Sequence, residues 1–186
     1  AHRIDAVLFD KTGTLTNGKP VVTDIVAING VSPIEMLSLA ASAERRSEHP
    51  IATAVVERAS KLALYDAQDF TAIPGKGIRA AVDGKTVLAG TKLLLSENGV
   101  ATSALEAAAA SAEDSGKTVI HVAVDGKVAG IIAVADTIKE TSREAVKKLT
   151  DSGIAVYMIT GDNARTAQAI AKQAGIENVF AEVLPA

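Results

Sequence analysis

The 186 residues carry 22 acidic against 19 basic side chains, a formal charge of −3 with no obvious block of either sign, which argues against a nucleic-acid surface as the main function. Cysteine is absent, so neither a disulfide nor a thiolate metal site can form, and only Met36 and Met158 offer sulfur to a soft metal. No apolar run approaches the roughly 20 residues that span a bilayer, and the start lacks the charged-then-apolar layout of a signal peptide, so the composition reads as a soluble, intracellular-type module.

Residues 4–9 (Ile4, Ala6, Val7, Leu8 and Phe9 among them) form an apolar run without a turn residue, which predicts a buried strand ending at Asp10. Gly18-Lys19-Pro20 breaks the following loop, and residues 21–28 alternate as a second strand. Ser32-Pro33 stands in the N-cap and N1 order of a helix over 34–43, and Pro50 opens another over 51–64. Short strands are predicted over 69–73, 78–82 and 87–89, helices over 92–97 and 103–114, and a hairpin of 118–124 with 128–135 across Asp125-Gly126. Residues 20–134 therefore read as an inserted α+β domain built on an antiparallel sheet. After Asp136 the pattern changes to a helix over 139–150, a strand over 154–159, a helix over 163–174 stopped by Gly175 and a strand over 179–183. Helices alternating with apolar strands imply a parallel sheet. Residues 1–19 and 135–186 are expected to form one discontinuous, doubly wound α/β domain around the insertion.

Asp10 falls at the carboxyl end of its strand, the edge of an open α/β sheet where ligands bind, and the hydroxyls and backbone of Thr12-Gly13-Thr14 could wrap a phosphate. A carboxylate there can serve as nucleophile, metal ligand or turn cap. Thr160-Gly161-Asp162-Asn163 repeats the layout, with a hydroxyl, a glycine and a carboxylate between a strand and a helix start, and taken alone it reads as a helix cap. Ser47-Glu48-His49-Pro50 places an imidazole just before a helix, and Pro74-Gly75-Lys76-Gly77-Ile78 places a glycine pair between strands.

The stretch Asp10-Lys11-Thr12-Gly13-Thr14-Leu15-Thr16 matches letter for letter the phosphorylation motif of the P-type ATPases, which resemble haloacid-dehalogenase-type phosphotransferases in fold. The resemblance implies an aspartyl phosphate on Asp10, a phosphate held and oriented by Lys11 and Thr14, and Mg2+ held partly by Asp10 and the Thr12 carbonyl. Thr160 and Gly161 would hold phosphoryl oxygens, and Asp162 would support nucleotide or loop contacts. Simple phosphatases that resemble this motif carry a second Asp two positions after the nucleophile as general acid and base; Thr12 stands there, so the phosphoenzyme is expected to persist.

The segments around His49 and Gly75 are together similar to the nucleotide-binding domain of heavy-metal-transporting P-type ATPases. This implies that Glu48 and His49 contact the adenine of ATP, that Gly75, Gly77 and Ile78 line the nucleotide with close backbone approach, and that Thr91, where copper-pump relatives carry Asn, joins them. Asp136 to Lys139 resembles the family's hinge, which is compatible with a helix N-cap at Asp136 or Thr137; His2 and His121 match no motif. The form Ser-Glu-His-Pro looks most like the Cu(I) pumps, with zinc or cadmium next. Glu182-Val183-Leu184-Pro185-Ala186 resembles the segment before the family's later lysine and magnesium motifs, so the resemblance covers the whole chain but only part of a pump. The membrane and actuator domains of such a pump would be its partners, and the transported ion would bind elsewhere. The chain itself is expected to be monomeric, on the cytoplasmic side of the membrane, and without nucleic acid. A free-standing phosphatase and a nucleotide-binding module without turnover are the competing classes.

Overall fold

In chain order the elements are β1 (Ala6–Asp10), β2 (Val21–Ala27), α1 (Pro33–Glu44), α2 (Pro50–Arg58), β3 (Ala67–Ile73), β4 (Gly77–Val82), β5 (Lys85–Gly90), α3 (Lys92–Glu97), α4 (Glu106–Asp114), β6 (Thr118–Val124), β7 (Lys127–Ala135), α5 (Glu140–Asp151), β8 (Ala155–Ile159), α6 (Ala164–Ala174) and β9 (Asn178–Phe180). The structure, a computed structural model, describes residues 4–183, so His2 and residues 184–186 lie outside it. Contacts divide the chain into two units. One comprises the residues up to Pro20, Glu113–Lys117 and those from Asp136 onward; the other comprises Val21–Ala112 and Thr118–Ala135. Among the described residues no helix is long and apolar enough to cross a membrane.

In the first unit β1, β8 and β9 form a parallel sheet in the order β1-β8-β9, with Asp10 opposite Ile159 at the carboxyl edge. Val146 of α5 and Ala167, Ile170, Ala171 and Ala174 of α6 bury one face of it together with Phe9, Val156, Met158 and Val179. α6 is delimited as its sequence dictates: the Asn163 side chain accepts from the Thr166 amide at 3.0 Å, and Gly175 ends the helix in the left-handed region at φ 80°. The expectation of a buried β1 fails. Its residues alternate, and Leu8 is 54% exposed, because the described helices cover only the face that Phe9 points into. An apolar run signals burial on both faces only when helices lie on both sides.

The second unit is a six-stranded antiparallel sheet in the order β2-β7-β6-β5-β4-β3. Its tight hairpins cross Asp83-Gly84 and Asp125-Gly126, with both residues of each pair at positive φ, the mirror-image turn whose twist matches flanking strands. Strand alternation feeds two cores. Met36, Leu39 and Val55 of α1 and α2 pack on Ile78, Ala80, Val87, Val122 and Ile132, whereas Leu94, Leu95, Leu105 and Ala109 pack on Leu88, Val119, Ala123 and Ile131. α2 ends at Arg58, six residues before the predicted stop at Leu64. Two serines of α1 account for this: Ser38 Oγ donates to the Ala63 carbonyl at 2.5 Å and Ser42 Oγ accepts from the Tyr65 amide at 3.0 Å, so residues 63–65 bond to α1 instead of continuing a helix. Likewise residues 103–105 form a tight turn before α4 begins at Glu106.

Candidate functional site

In the first unit, two loops meet at the carboxyl edge of the sheet. Asp10 ends β1, and the chain turns at once through Lys11–Leu15, where Thr12 is extended and Gly13 takes φ 75°. Only glycine adopts that conformation without strain, and a Cβ there would meet nothing within 4 Å, so the requirement at Gly13 is conformational and not one of space. Asp10, Thr12, Gly13 and Thr14 are exposed, while Lys11, Leu15 and Thr16 are buried. The loop thus presents its acidic and hydroxyl groups outward and is anchored by the residues between them.

The second loop follows β8. Thr160 is buried, and its hydroxyl both accepts from the Asp162 amide and donates to Asp162 Oδ2, each at 3.1 Å. Asp162 Oδ2 also receives the Lys11 ammonium at 2.5 Å, with the two side chains 9% and 11% exposed. This ion pair joins the two motifs. It also gives Lys11 and Thr160 intramolecular partners at the positions where the sequence resemblance implies phosphate contacts, and leaves Gly161 as the exposed part of the second loop.

No group of three or more His, Asp or Glu residues able to hold a metal exists among the described residues. Mg2+ does not need one: it keeps several waters and takes one or two protein oxygens beside substrate phosphates. The exposed Asp10 carboxylate and the Thr12 carbonyl fit that partial donor set.

In the second unit, His49 is the N-cap of α2, its Nδ1 accepting from the Ile51 amide at 3.2 Å. That bond fixes Nδ1 as the unprotonated nitrogen and leaves the proton on Nε2. Glu48 is exposed beside it. The turn holds a further carboxyl that the sequence reading passed over. Glu44, the last residue of α1, is only 7% exposed, and burial pushes its carboxyl up to about 7 against a smaller opposing hydrogen bond from Ser47. Its sequence signal was faint: an acidic residue at the end of a helix, where a cation is the favoured neighbour of the dipole.

Gly75 takes φ 69° in the turn before β4, and Gly77 opens that strand opposite Gly90. A Cβ on Gly77 would lie 2.2 Å from the Ala89 carbonyl, and one on Gly90 2.1 Å from that of Lys76. The absence of a side chain at Gly77 is therefore already required by the β4–β5 contact. The Ile78 side chain is 4% exposed within the core, so a part for Ile78 in lining the nucleotide does not extend to its side chain. Thr91 caps α3, its hydroxyl accepting from the Leu94 amide at 3.2 Å.

A strand-end aspartate on a parallel sheet is thus answered by a Thr-Gly-Asp loop on the neighbouring strand. The chain belongs to the haloacid dehalogenase-like hydrolase family, whose model matches residues 4–186. It is 47% identical over 186 residues to the copper-exporting P-type ATPase of Bacillus subtilis (strain 168), a match covering 99% of this chain and 23% of that protein. The crystal structure of a zinc-transporting PIB-type ATPase in the E2.Pi state is similar with a TM-score of 0.67 at 38% identity, covering 98% of this chain and 30% of that one. The N-domain of HMA6, a copper-transporting P-type ATPase, is similar with a TM-score of 0.54 at 32% identity, over 63% of this chain and 99% of that one. The chain spans about a quarter of the length of the curated relatives it matches.

Proposed function

We propose that this chain is the ATP-binding and phosphorylation region of a heavy-metal-transporting P-type ATPase that exports Cu(I). The observation that carries the reading is the Lys11–Asp162 pair, which brings the two sequence motifs to one sheet edge with the Asp10 carboxylate exposed beside them. An Asp10 oxygen attacks the γ-phosphorus of ATP in line; the bond from that phosphorus to the β,γ-bridging oxygen breaks, and ADP leaves with the electron pair. When bound, Mg2+ offsets the charge developing on the phosphoryl oxygens, and the Asp10 carboxylate and Thr12 carbonyl would hold it. Thr12 offers no group that takes or gives a proton near neutral pH, so the acyl phosphate outlives the transfer. That persistence suits a machine that must change shape before hydrolysis.

Nucleotide recognition falls to the second unit. His49, exposed at the start of α2, offers a flat ring to adenine, and Glu44, poised near neutrality, can donate or accept a hydrogen bond. Copper is favoured over zinc by the copper-exporting curated relative, more similar to this chain at 47% than the zinc-transporting structure is at 38%.

The test has two arms. Calorimetric titration of the 186-residue chain should give binding of ATP and ADP and none of GTP. In the longer protein that contains this chain, Mg-ATP should place hydroxylamine-labile phosphate on Asp10, and none in Asp10→Asn. Copper(I) should raise the turnover of that protein more than zinc does. Equal binding of GTP would overturn the adenine site, and failure to label Asp10 would overturn the phosphorylation reading.

A further inference from the structure

The internal bonds of the Asp10 loop all run through Thr16, whose amide and hydroxyl each lie 3.1 Å from the Lys11 carbonyl. Between Lys11 and Leu15 the backbone passes through extended and left-handed conformations, and Thr12, Gly13 and Thr14 stand exposed. What holds its far side comes from about 120 residues later. Thr16 is 0% exposed; its hydroxyl donates to Asp136 Oδ2 at 2.6 Å and accepts from the Gly13 amide at 3.2 Å. The same Asp136 oxygen accepts from the Gly18 amide at 3.1 Å. The Lys139 ammonium donates to the Gly13 carbonyl at 2.6 Å, and the Lys139 amide donates to the Leu15 carbonyl at 3.0 Å. Gly18 lies against Gly13 so closely that a Cβ on it would come within 3.1 Å of the Gly13 Cα.

We propose that Asp136 and Lys139 are positioning residues of the Asp10 loop, clamping Gly13 and Thr16 so that the loop keeps one geometry for phosphoryl transfer. The functional half of this rests on Asp10 being the phosphoryl acceptor. Lys139 acts through one peptide unit. A charge-assisted hydrogen bond to the Gly13 carbonyl fixes that peptide plane, and across a trans peptide the Thr14 N–H then points away from Lys139. The same bond polarises the unit, which makes that N–H a stronger donor to an oxyanion. Asp136 acts through Thr16: of the two acceptors within reach of the Thr16 hydroxyl proton, the Asp136 carboxylate at 2.6 Å is nearer than the Lys11 carbonyl at 3.1 Å, and the charged acceptor holds the hydroxyl in the orientation that receives the Gly13 amide. The clamp also joins the segment that precedes the chain's first departure from this unit, after Pro20, to the one that begins at its last return, at Asp136.

The test reads the clamp directly. Hydrogen exchange of the Gly13 and Thr16 amides is followed by NMR in the 186-residue chain and in Asp136→Asn, Lys139→Met and Lys139→Arg, with Val156 and Met158 of β8 as references. Both loop amides should exchange about ten-fold faster or more in Lys139→Met and Asp136→Asn, the arginine variant should restore protection, and the β8 amides should not change. Unchanged loop exchange, or β8 exchange rising by the same factor, overturns the proposal. In the longer protein, Lys139→Met should slow aspartyl-phosphate formation at saturating Mg-ATP by about ten-fold, with half-saturation by ATP within about two-fold of the parent, since a loosened loop lowers the rate whereas a lost contact to bound ATP would weaken half-saturation. A loosened loop with normal phosphorylation also overturns it. If the parent protein never labels Asp10, the phosphorylation reading fails while the exchange measurement still decides whether the clamp exists.

Discussion

The ammonium of Lys11 lies 2.5 Å from Asp162 Oδ2, a nearly buried ion pair that ties the loop after β1 to the loop after β8. Its Coulombic gain is largely spent on removing both charges from water, so the pair matters less for net stability than for what happens when one half is lost. Asp162→Asn and Lys11→Met should each destabilise the first unit by about 3 kcal/mol, because each strands a charge or a polar group. The double variant should cost much less than the two singles added, with a coupling on the order of 1–3 kcal/mol. Urea unfolding monitored by tyrosine emission in a Tyr65→Phe background isolates this unit, since Tyr157 is then the remaining tyrosine. Additive losses would show that the two loops are not held by this pair.

Two buried groups of the second unit should give it opposed pH dependences. Burial raises Glu44 from 4.5 to about 7, so its contribution to stability is fully present below 4.5 and is lost as pH rises through 7. Burial, helped by the nearby Lys92 charge, lowers His121 from 6.5 to about 4, so its contribution is present above 6.5 and is lost as pH falls through 4. Between about pH 4.5 and 6.5 the two slopes, each about 1.4 kcal/mol per pH unit, cancel. Relative to the parent, Glu44→Gln should therefore make stability rise with pH across that window, and His121→Leu should make it fall. Denaturation midpoints at pH 4.5, 5.5 and 6.5 decide it, and parallel profiles for all three chains would show that neither group titrates as its burial demands.

How much of this was legible in the sequence depends on the range of the interaction. Local chemistry was: the Ser32 cap, the Gly175 stop and the Asp125-Gly126 hairpin stand where turn and cap residues placed them. The parallel and antiparallel sheets followed from the change in periodicity at Asp136. Hidden were effects set by groups far away in sequence. The Ser38 and Ser42 bonds that end α2 early cross more than twenty residues, and the open face of β1 depends on which helices cover it. At the sites, Asp10 and His49 announced themselves through their motifs. Glu44 did not, because its importance lies in burial, and the bonds of Asp136 and Lys139 to the Asp10 loop are visible only once residues over 115 positions apart are brought together.

His49 caps α2 through Nδ1, and the proposed function gives it a second, separable duty, presenting its ring to a nucleotide. His49→Ala removes both and should cost about 1 kcal/mol of stability as well as ATP affinity. His49→Asn keeps an N-cap acceptor and loses the ring, so it should retain stability to within about 0.5 kcal/mol. Both variants should nevertheless bind ATP about ten-fold or more weakly, a loss of about 1.4 kcal/mol or more by calorimetry. If Asn restores ATP binding along with stability, His49 is a helix cap and nothing more.

Thr12 is where persistence of the phosphoenzyme should be decided. It is exposed, extended and two residues after Asp10, the proposed nucleophile, so a carboxylate there could reach a water attacking phosphorus without displacing any packed group. General acid and base catalysis of this kind contributes about 10²–10⁴-fold, and even a poorly placed group retains part of it. In the longer protein, Thr12→Asp should shorten the lifetime of the Asp10 phosphate by about ten-fold or more, while Thr12→Asn, which has the same shape without a proton to exchange, should leave it near that of the parent. Labelling with Mg-ATP followed by a chase with unlabelled ATP measures both lifetimes. An unchanged lifetime in Thr12→Asp would mean that water or geometry, and not the missing acid, limits hydrolysis at this site.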